Sequence, residues 1–235
     1  MVSDASIAPR ALAAMELFRE LPAAALDAVA AAARVRQFPK DFLIFSQGDE
    51  GARAHAVIEG GVRIAQSGSD GAQAVMRFIG PGEMFGTVAL FTDGRYPADA
   101  ITVSETLEAS WSEAELRELI ARYPQIAINV IRIIGMRLQD VQNRVRELAT
   151  QRAERRVAYA LLRLANQAGL GTAEGMTIRF PLRRKDVADI SGTTLHTASR
   201  ILTAWEKAGL LVTRNQRLTI RHPAELLRIA EDATH

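Results

Sequence analysis

Residues 182–211, LRRKDVADISGTTLHTASRILTAWEKAGLL, constrain this chain most, because they hold two helices at helix-turn-helix spacing. Apolar positions recur with helical period on both sides of Gly192, and the second helix is predicted over 195–208. Gly192 suits a turn whose backbone passes through positive φ. Thr193 or Thr194 can cap the second helix by accepting a hydrogen bond from a free amide at its start. The segment therefore predicts a helix-turn-helix.

The second helix has two different faces. Spacings of three and four place one apolar set inward: Leu195, Ala198, Ile201, Leu202 and Trp205. The side chains left outside are polar: His196, Thr197, Ser199, Arg200 and Thr203. The planar fork of arginine matches guanine O6 and N7, a pairing that discriminates between bases by about 1–3 kcal/mol. An ordinary pair of surface helices would show the same spacing, so a second line of evidence is needed.

The distribution of charge along the chain is that second line of evidence. Residues 151–235 carry 14 Lys and Arg against 8 Asp and Glu, a net +6, whereas residues 1–150 carry 15 against 19, a net −4. The overall +2 of the chain therefore conceals a basic C-terminal third. A basic region of this kind is the electrostatic footprint of phosphate binding. We expect double-stranded DNA as a partner.

A wing is predicted directly after the second helix. The stretch LLVTRNQRLTIRH alternates like two short strands around Arg214-Asn215-Gln216. Two arginines near this turn can contact backbone phosphate. The full set of predicted DNA contacts is Arg183, Lys185, Thr194, His196, Thr197, Ser199, Arg200, Arg214 and Arg217.

The N-terminal half has a different pattern. Residues 10–33 indicate two short helices broken at Leu21-Pro22, because proline is tolerated at a helix start but not inside one. Residues 34–109 consist of short alternating segments divided by glycine, which is typical of a small antiparallel barrel or jelly roll. Further along, the glycine-rich stretch 168–177 is interpreted as a flexible loop before a strand-like segment at 178–182.

A long helix is predicted after Pro124, with a hinge near Thr150. An apolar stripe on it, interrupted by arginine, suits either packing against the barrel or a parallel coiled-coil homodimer, and we favour the dimer. The predicted seam is Ile126, Val130, Ile133, Arg137, Val141, Arg144 and Leu148, widened by Ile134, Leu138 and Val145.

Four motifs in this order resemble the CRP/FNR superfamily of bacterial transcription regulators. They are FSQG at Phe45–Gly48, IEGGVR at Ile58–Arg63, PGEMFG at Pro81–Gly86 and TTLHTASRIL at Thr193–Leu202. The resemblance covers nearly the whole chain and implies an α+β protein. Its parts would be a cyclic-nucleotide-binding-like β-roll (jelly roll) as the sensory domain (1–122), a dimerisation helix and hinge (123–150), and a winged helix-turn-helix (151–235).

The resemblance also implies a function. Family recognition helices commonly carry Glu-x-x-Ser-Arg, and this one has His196 in the first position and Ser199-Arg200 at the end. This implies a homodimer on a TTG/CAA palindrome, with Arg200 on the guanine and RNA polymerase as a partner of an activator. Histidine in place of glutamate predicts altered base choice next to the TTG core, because a neutral imidazole has no carboxylate to accept from cytosine N4.

The sensory ligand is predicted mainly by exclusion. The chain has no cysteine, so it cannot hold a cysteine-ligated iron–sulfur cluster. Family members that bind cyclic AMP use a Glu and an Arg-Ser pair at positions that look like Thr87 and Tyr96-Pro97 here, which disfavours that nucleotide although Arg95 could substitute. Tyr96-Pro97-Ala98 and the helix-turn-helix look most like the nitric-oxide-responsive NnrR/Dnr branch, which implies nitric oxide sensing through haem.

His55 is the one histidine of the predicted sensory domain. It suits either an axial haem ligand or a histidine packed at the start of an apolar strand, and Tyr96 suits either a ligand or a pocket wall. The predicted effector pocket is His55, Met84, Thr87, Arg95 and Tyr96. A regulator with another small effector, or with none, remains the alternative.

Other classes of protein fit the sequence less well. A cupin-like metalloenzyme would need two or three histidines converging on one metal, and the predicted barrel offers one. No apolar run is long enough to cross a bilayer, and the N-terminus MVSDASIAPR lacks the layout of a signal peptide. We therefore expect a cytoplasmic protein that is not an enzyme.

Overall fold

The computed structural model describes residues 7–51, 53–68 and 73–231, so the first six residues of the N-terminal segment lie outside it. The chain divides into two compact units, one formed by 1–71 with 79–141 and the other by 72–78 with 142–235. The boundary between Val141 and Gln142 falls inside the long helix, whereas the sequence placed the hinge near Thr150.

The first 150 residues contain five helices, a 3₁₀ turn and eight strands within the described ranges. In chain order they are α1 (Pro9–Ala13), the 3₁₀ turn (Glu16–Phe18), α2 (Ala23–Ala32), β1 (Arg34–Phe38), β2 (Leu43–Phe45), β3 (Arg53–Glu59), β4 (Val62–Ser67), β5 (Gln73–Ile79), β6 (Met84–Phe85), α3 (Thr87–Leu90), β7 (Asp99–Thr102), β8 (Thr106–Ser112), α4 (Glu113–Arg122) and α5 (Gln125–Thr150).

The first unit is a roll of two antiparallel sheets. One sheet has the order β1-β8-β3-β6, and in the other β2, β7 and β4 are neighbours. Trp111 on β8 is fully buried, meets the ring of Phe18 edge-on at 5.1 Å and donates a hydrogen bond to the Val29 carbonyl at 2.9 Å. The N-terminal helices therefore cover one sheet, and the predicted jelly-roll class is confirmed.

The second unit is a winged helix-turn-helix. Its elements are α6 (Ala153–Ala168), β9 (Gly169–Thr172), β10 (Gly175–Ile178), α7 (Arg184–Ser191), α8 (Leu195–Lys207), β11 (Leu211–Arg214), β12 (Arg217–Ile220) and α9 (Pro223–Glu231). The four strands form one sheet in the order β11-β12-β10-β9. The predicted helix-turn-helix and wing are both confirmed.

The glycine-rich stretch predicted as a flexible loop is in fact the hairpin β9–β10, so that prediction was wrong. Gly169 pairs with Ile178 and Thr172 with Gly175. A Cβ on Gly169 would lie 2.2 Å from the Ala165 carbonyl, so this glycine permits close approach of α6 and does not mark flexibility. The strand predicted at 178–182 ends at Ile178.

The turn of the helix-turn-helix follows its predicted chemistry. Gly192 has φ of 62°, and the side chain of Thr194 accepts a hydrogen bond from the Thr197 amide. The core face of α8 contains Ala198, Ile201, Leu202 and Trp205 as predicted, but Leu195 is exposed. As the first residue of the helix it lies beyond the core that the later turns cover.

The C-terminal part of α5 and most of β5 pack within the second unit. Arg144 donates to the Asp189 carbonyl at 3.0 Å, and Glu147 accepts two bonds from Arg163 at 2.9 and 3.1 Å. The ring of Phe78 on β5 stacks on Phe180 at 4.7 Å. These contacts explain why the boundary between the units precedes the end of α5.

Candidate nucleic-acid interface and sensory cluster

The exposed face of α8 forms a shallow concave surface that we call the recognition face. It is lined by His196, Ser199, Arg200, Thr203, Ala204 and Lys207. The sequence identified the first four of these as outward-facing, and it missed Lys207, which lies seven residues beyond Arg200 and so on the same side of the helix. Polar donors and a cation on one exposed helical face can contact base edges in a major groove.

Arg184 on α7 fixes the position of this face. Its guanidinium donates to the Ser199 carbonyl at 2.8 Å, to the Thr203 hydroxyl at 3.0 Å and to the Glu206 carboxylate at 2.9 Å. Trp205 anchors the opposite side by donating to Glu154 at 3.2 Å. The sequence pattern did not reveal Arg184, because a bond to a backbone carbonyl on another helix leaves no periodic signal.

The predicted phosphate contacts divide into two groups. Arg183 is held by Asp186, and Lys185 is held by both oxygens of Asp189. In residues 7–51, 53–68 and 73–231, by contrast, no hydrogen bond or ion pair engages the side chain of Arg200 or of Arg217. Arginines without internal partners keep their donors available for an external anion.

The wing places two arginines side by side. Arg214 and Arg217 are directly opposed across the β11–β12 hairpin. The turn between them contains Asn215 and Gln216 at φ of 51° and 62°, which is the geometry of a type I′ turn. The amide of Leu182 donates to the Gln216 carbonyl at 2.7 Å, and this bond ties the turn to the segment before α7.

In the first unit, a buried polar cluster surrounds His55. Its Nδ1 is hydrogen-bonded to Glu108, and its Nε2 lies 2.9 Å from the Tyr96 hydroxyl. Glu108 is fully buried and also accepts from Arg36 at 3.3 Å, while the Tyr96 oxygen accepts from the Arg53 amide at 2.8 Å. The sequence predicted the meeting of His55 with Tyr96 but missed Glu108.

Burial controls the protonation of this cluster. It lowers the pKa of His55, although Glu108 opposes the change, and it raises the pKa of Tyr96. The imidazole is therefore neutral at neutral pH. A neutral ring that donates a hydrogen bond from Nδ1–H to Glu108 accepts one at Nε2 from the Tyr96 hydroxyl, so both ring nitrogens are satisfied.

Of the other predicted pocket residues, Tyr96 is hydrogen-bonded to His55, and the remaining three lie in other surroundings. Met84 belongs to the core cluster around Trp111, whereas Tyr96 belongs to the cluster around Phe45. Arg95 is exposed and paired with Glu50. Thr87 is the first residue of α3. The five residues therefore share one hydrogen-bonded contact in this structure, between His55 and Tyr96, and the effector pocket stays a prediction.

The surroundings of His55 do not fit an axial haem ligand. Such a ligand needs a free ring nitrogen, and both nitrogens of His55 are hydrogen-bonded. The ring stacks on Phe85 at 4.9 Å, and a Cβ on Gly86 would lie only 2.7 Å from His55 Cδ2. The imidazole is thus closely packed as well as hydrogen-bonded in this structure.

The residues predicted for the dimer seam divide between a face packed on the first unit and an exposed face. Ile126 is buried in the core of the first unit, Val130 and Ile133 pack against that core, and Arg137 is half-buried. Six of the exposed apolar residues of α5 follow a regular spacing of three and four, at 46–70% exposure: Ile131, Ile134, Leu138, Val141, Val145 and Leu148. We call these six residues the α5 seam.

Comparison with known proteins identifies the family. A cyclic nucleotide-binding domain model matches residues 35–123, and a Crp-like helix-turn-helix model matches residues 155–229. The cyclic AMP receptor protein of Thermus thermophilus is 31% identical over 214 residues, covering 91% of this chain and 96% of the relative. This chain belongs to the CRP/FNR family.

Two further relatives are consistent with this family assignment. The nitrogen fixation regulation protein FixK of Rhizobium meliloti is 32% identical over 185 residues, covering 79% of this chain and 81% of the relative. The solved structure of FixK2 from Bradyrhizobium japonicum shares the fold, with a TM-score of 0.74 at 23% identity over 86% of this chain and 99% of that one.

These relatives are transcription regulators and not enzymes, which supports a non-enzyme and disfavours the cupin-like alternative. The family prediction is confirmed, and the NnrR/Dnr branch stays a prediction. Among the described residues, no helix combines the length and apolarity needed to span a bilayer.

Proposed function

We propose that this CRP/FNR-family chain acts as a homodimer that binds a TTG/CAA-like palindrome and regulates transcription from it. The observation that carries the proposal is the recognition face, where the exposed Arg200 side chain has no partner in the described ranges while Arg184 holds the helix in place. A fixed helix with a free guanidinium loses little conformational freedom when it binds a guanine edge.

A dimer follows from the α5 seam. Six exposed apolar residues at alternating spacings of three and four form the a and d positions of a coiled coil. An apolar stripe of this length is costly in water and calls for a partner helix. A second copy of the chain presents the same stripe, and a two-fold dimer would set two recognition helices about one DNA turn, roughly 34–36 Å, apart.

The first experiment measures DNA affinity by fluorescence anisotropy on a TTG/CAA palindrome and on a scrambled duplex of equal length, with oligomeric state followed by analytical ultracentrifugation. Leu138→Asp, in the middle of the seam, should yield monomers that bind the palindrome at least about tenfold more weakly, because a buried unpaired charge costs more than 1 kcal/mol per helix.

The matched control is Met136→Asp, which places the same charge on α5 at an exposed apolar residue outside the seam. It should remain dimeric and bind as the wild type does. Equal affinity of the wild type for both duplexes, or a wild type that sediments as a monomer at working concentration, would contradict the proposed function.

We propose activation, through a contact with RNA polymerase, as the direction of control. The transcriptional activator protein FnrA of Stutzerimonas stutzeri is 26% identical to this chain over 200 residues, which supports activation as the direction of control. In vitro transcription from a promoter with an upstream palindrome tests it, since an activator raises and a repressor lowers transcript yield.

We propose that this regulator responds to another small effector or to none, and not to nitric oxide through haem. The observation that supports this is the cluster around His55, in which both ring nitrogens are already hydrogen-bonded. A haem titration monitored at the Soret band checks this, and saturable binding at one haem per subunit would restore the haem hypothesis.

A further inference from the structure

The wing holds two like charges in direct opposition. Arg214 and Arg217 face each other in register next to the Asn215-Gln216 turn. Like charges opposed across an antiparallel pair destabilise it. The hairpin therefore gains from a nearby anion, and a phosphate group is one that DNA provides.

The chain already supplies an anion at this place. Glu174 lies in the turn between β9 and β10, and β10 pairs with β12 of the wing. Its Oε1 lies 3.2 Å from Arg214 Nη1, and its Oε2 lies 4.0 Å from Arg221 Nη2. One carboxylate therefore neutralises part of the wing from the neighbouring hairpin.

The Glu174 pair differs from the other ion pairs of this unit. Asp186 and Asp189, which hold Arg183 and Lys185, have side chains only 4% and 14% exposed. Glu174 and Arg214 are 49% and 67% exposed. An exposed ion pair contributes little net free energy, so an incoming phosphate can replace the carboxylate.

We propose that Glu174 is a built-in competitor of DNA phosphate for the wing arginines, and that it sets the strength of sequence-independent DNA binding. The inference rests on the proposed function. Within the described part of the chain, Glu174 has no hydrogen bond or ion pair with the recognition face, so it weakens all duplexes alike and leaves base preference to that face.

The test compares wild type with Glu174→Gln on the palindrome and on the scrambled duplex, across a salt titration. Glu225→Gln is the matched control, because it removes the same charge from an exposed residue of α9 in the same unit. Both changes are repeated in an Arg214→Ala background. Thermal unfolding of every variant verifies that the fold is retained.

Glu174→Gln should tighten binding to both duplexes by the same factor, about two- to fivefold, as expected for loss of an exposed competing ion pair. The slope of log affinity against log salt should steepen by up to about 0.9, because the wing then releases one further counterion on binding. The gain should be mostly lost in the Arg214→Ala background, which by itself should weaken both duplexes alike.

Two results would overturn the inference while leaving the proposed function intact. One is an equal gain in DNA affinity from Glu225→Gln, which would show that the effect arises from net charge alone. The other is an undiminished gain in the Arg214→Ala background. If the wild type binds neither duplex even at low salt, the proposed function fails and this inference fails with it.

Discussion

The recognition face and the His55 cluster are both groups of polar side chains, but they differ in how far their hydrogen-bonding capacity is used. On the recognition face Arg200 is exposed and has no partner among the described residues. Around His55 every ring nitrogen is bonded, and Glu108 is fully buried between two partners. Unused donors indicate a surface prepared for a ligand, whereas a satisfied buried network indicates a structural role.

Glu108→Ala should have the largest effect. If the cluster is structural, removing the buried carboxylate leaves Arg36 and His55 without their anion and should lower the free energy of unfolding by about 3 kcal/mol or more. Chemical denaturation measures it. Glu105→Ala, at an exposed residue just before the same strand, is the control, and its free energy of unfolding should stay within about 0.5 kcal/mol of wild type. Similar losses of stability from the two substitutions would refute a structural role for the cluster.

Arg200→Ala tests the other side of the comparison. It should remove about 1–3 kcal/mol of discrimination between the palindrome and a duplex with the guanine replaced, because the bidentate contact is lost. Stability should hardly change, since the side chain has no internal partner. Competition anisotropy checks this, and retained discrimination would mean that another residue reads the guanine.

The pH dependence of folding stability is a further test of the His55 cluster. Burial lowers the folded-state pKa of His55 below its ordinary value of 6.5, so the unfolded chain binds more protons in the window below that value. The contribution of His55 to stability is therefore complete above pH 6.5 and is lost as pH falls towards the folded pKa.

The expected slope from His55 is at most about 1.4 kcal/mol per pH unit. Glu108, Tyr96, Arg36 and Arg53 face the ring, so the slope is read as the difference between wild type and His55→Asn. His222→Gln, an exposed histidine in the second unit, serves as the control. If the free energy of unfolding changes with pH equally in wild type and His55→Asn, protonation of His55 is not linked to folding.

The smallest expected effect is a change of base choice without a large change of affinity. His196→Glu restores a carboxylate that can accept from cytosine N4, so in vitro selection should recover sites with a narrower choice next to the TTG core. Overall affinity should change by less than about tenfold. Identical selected sites for both proteins would show that position 196 does not read a base.

The sequence could predict the helix-turn-helix because its signals are local. Apolar period, the φ of Gly192 and the cap at Thr194 all depend on residues close together in the chain. The His55 cluster could be predicted only in part, because Glu108 comes from a strand whose partner is fixed by the tertiary fold. A lone carboxylate in an apolar strand gives a signal but does not identify its partner.

The α5 seam shows another limit of sequence reasoning. The helix has two apolar faces, and both repeat at spacings of three and four. Nothing local tells which face packs on the chain's own core, so the predicted seam began on the buried face with Ile126 and ended on the exposed one with Leu148. The packing of Val130 and Ile133 on the core of the first unit identifies which face is buried.

The wing turn is a site where a single substitution could stabilise the hairpin. Asn215 and Gln216 both adopt positive φ, a conformation in which glycine is unstrained and glutamine is not. Asn-Gly is the preferred pair for this turn, so a chain carrying Gln216→Gly would have a better-formed hairpin with Arg214 and Arg217 unchanged. The natural sequence thus leaves room for a more rigid wing, and a designer seeking a longer-lived DNA complex could start from that single residue.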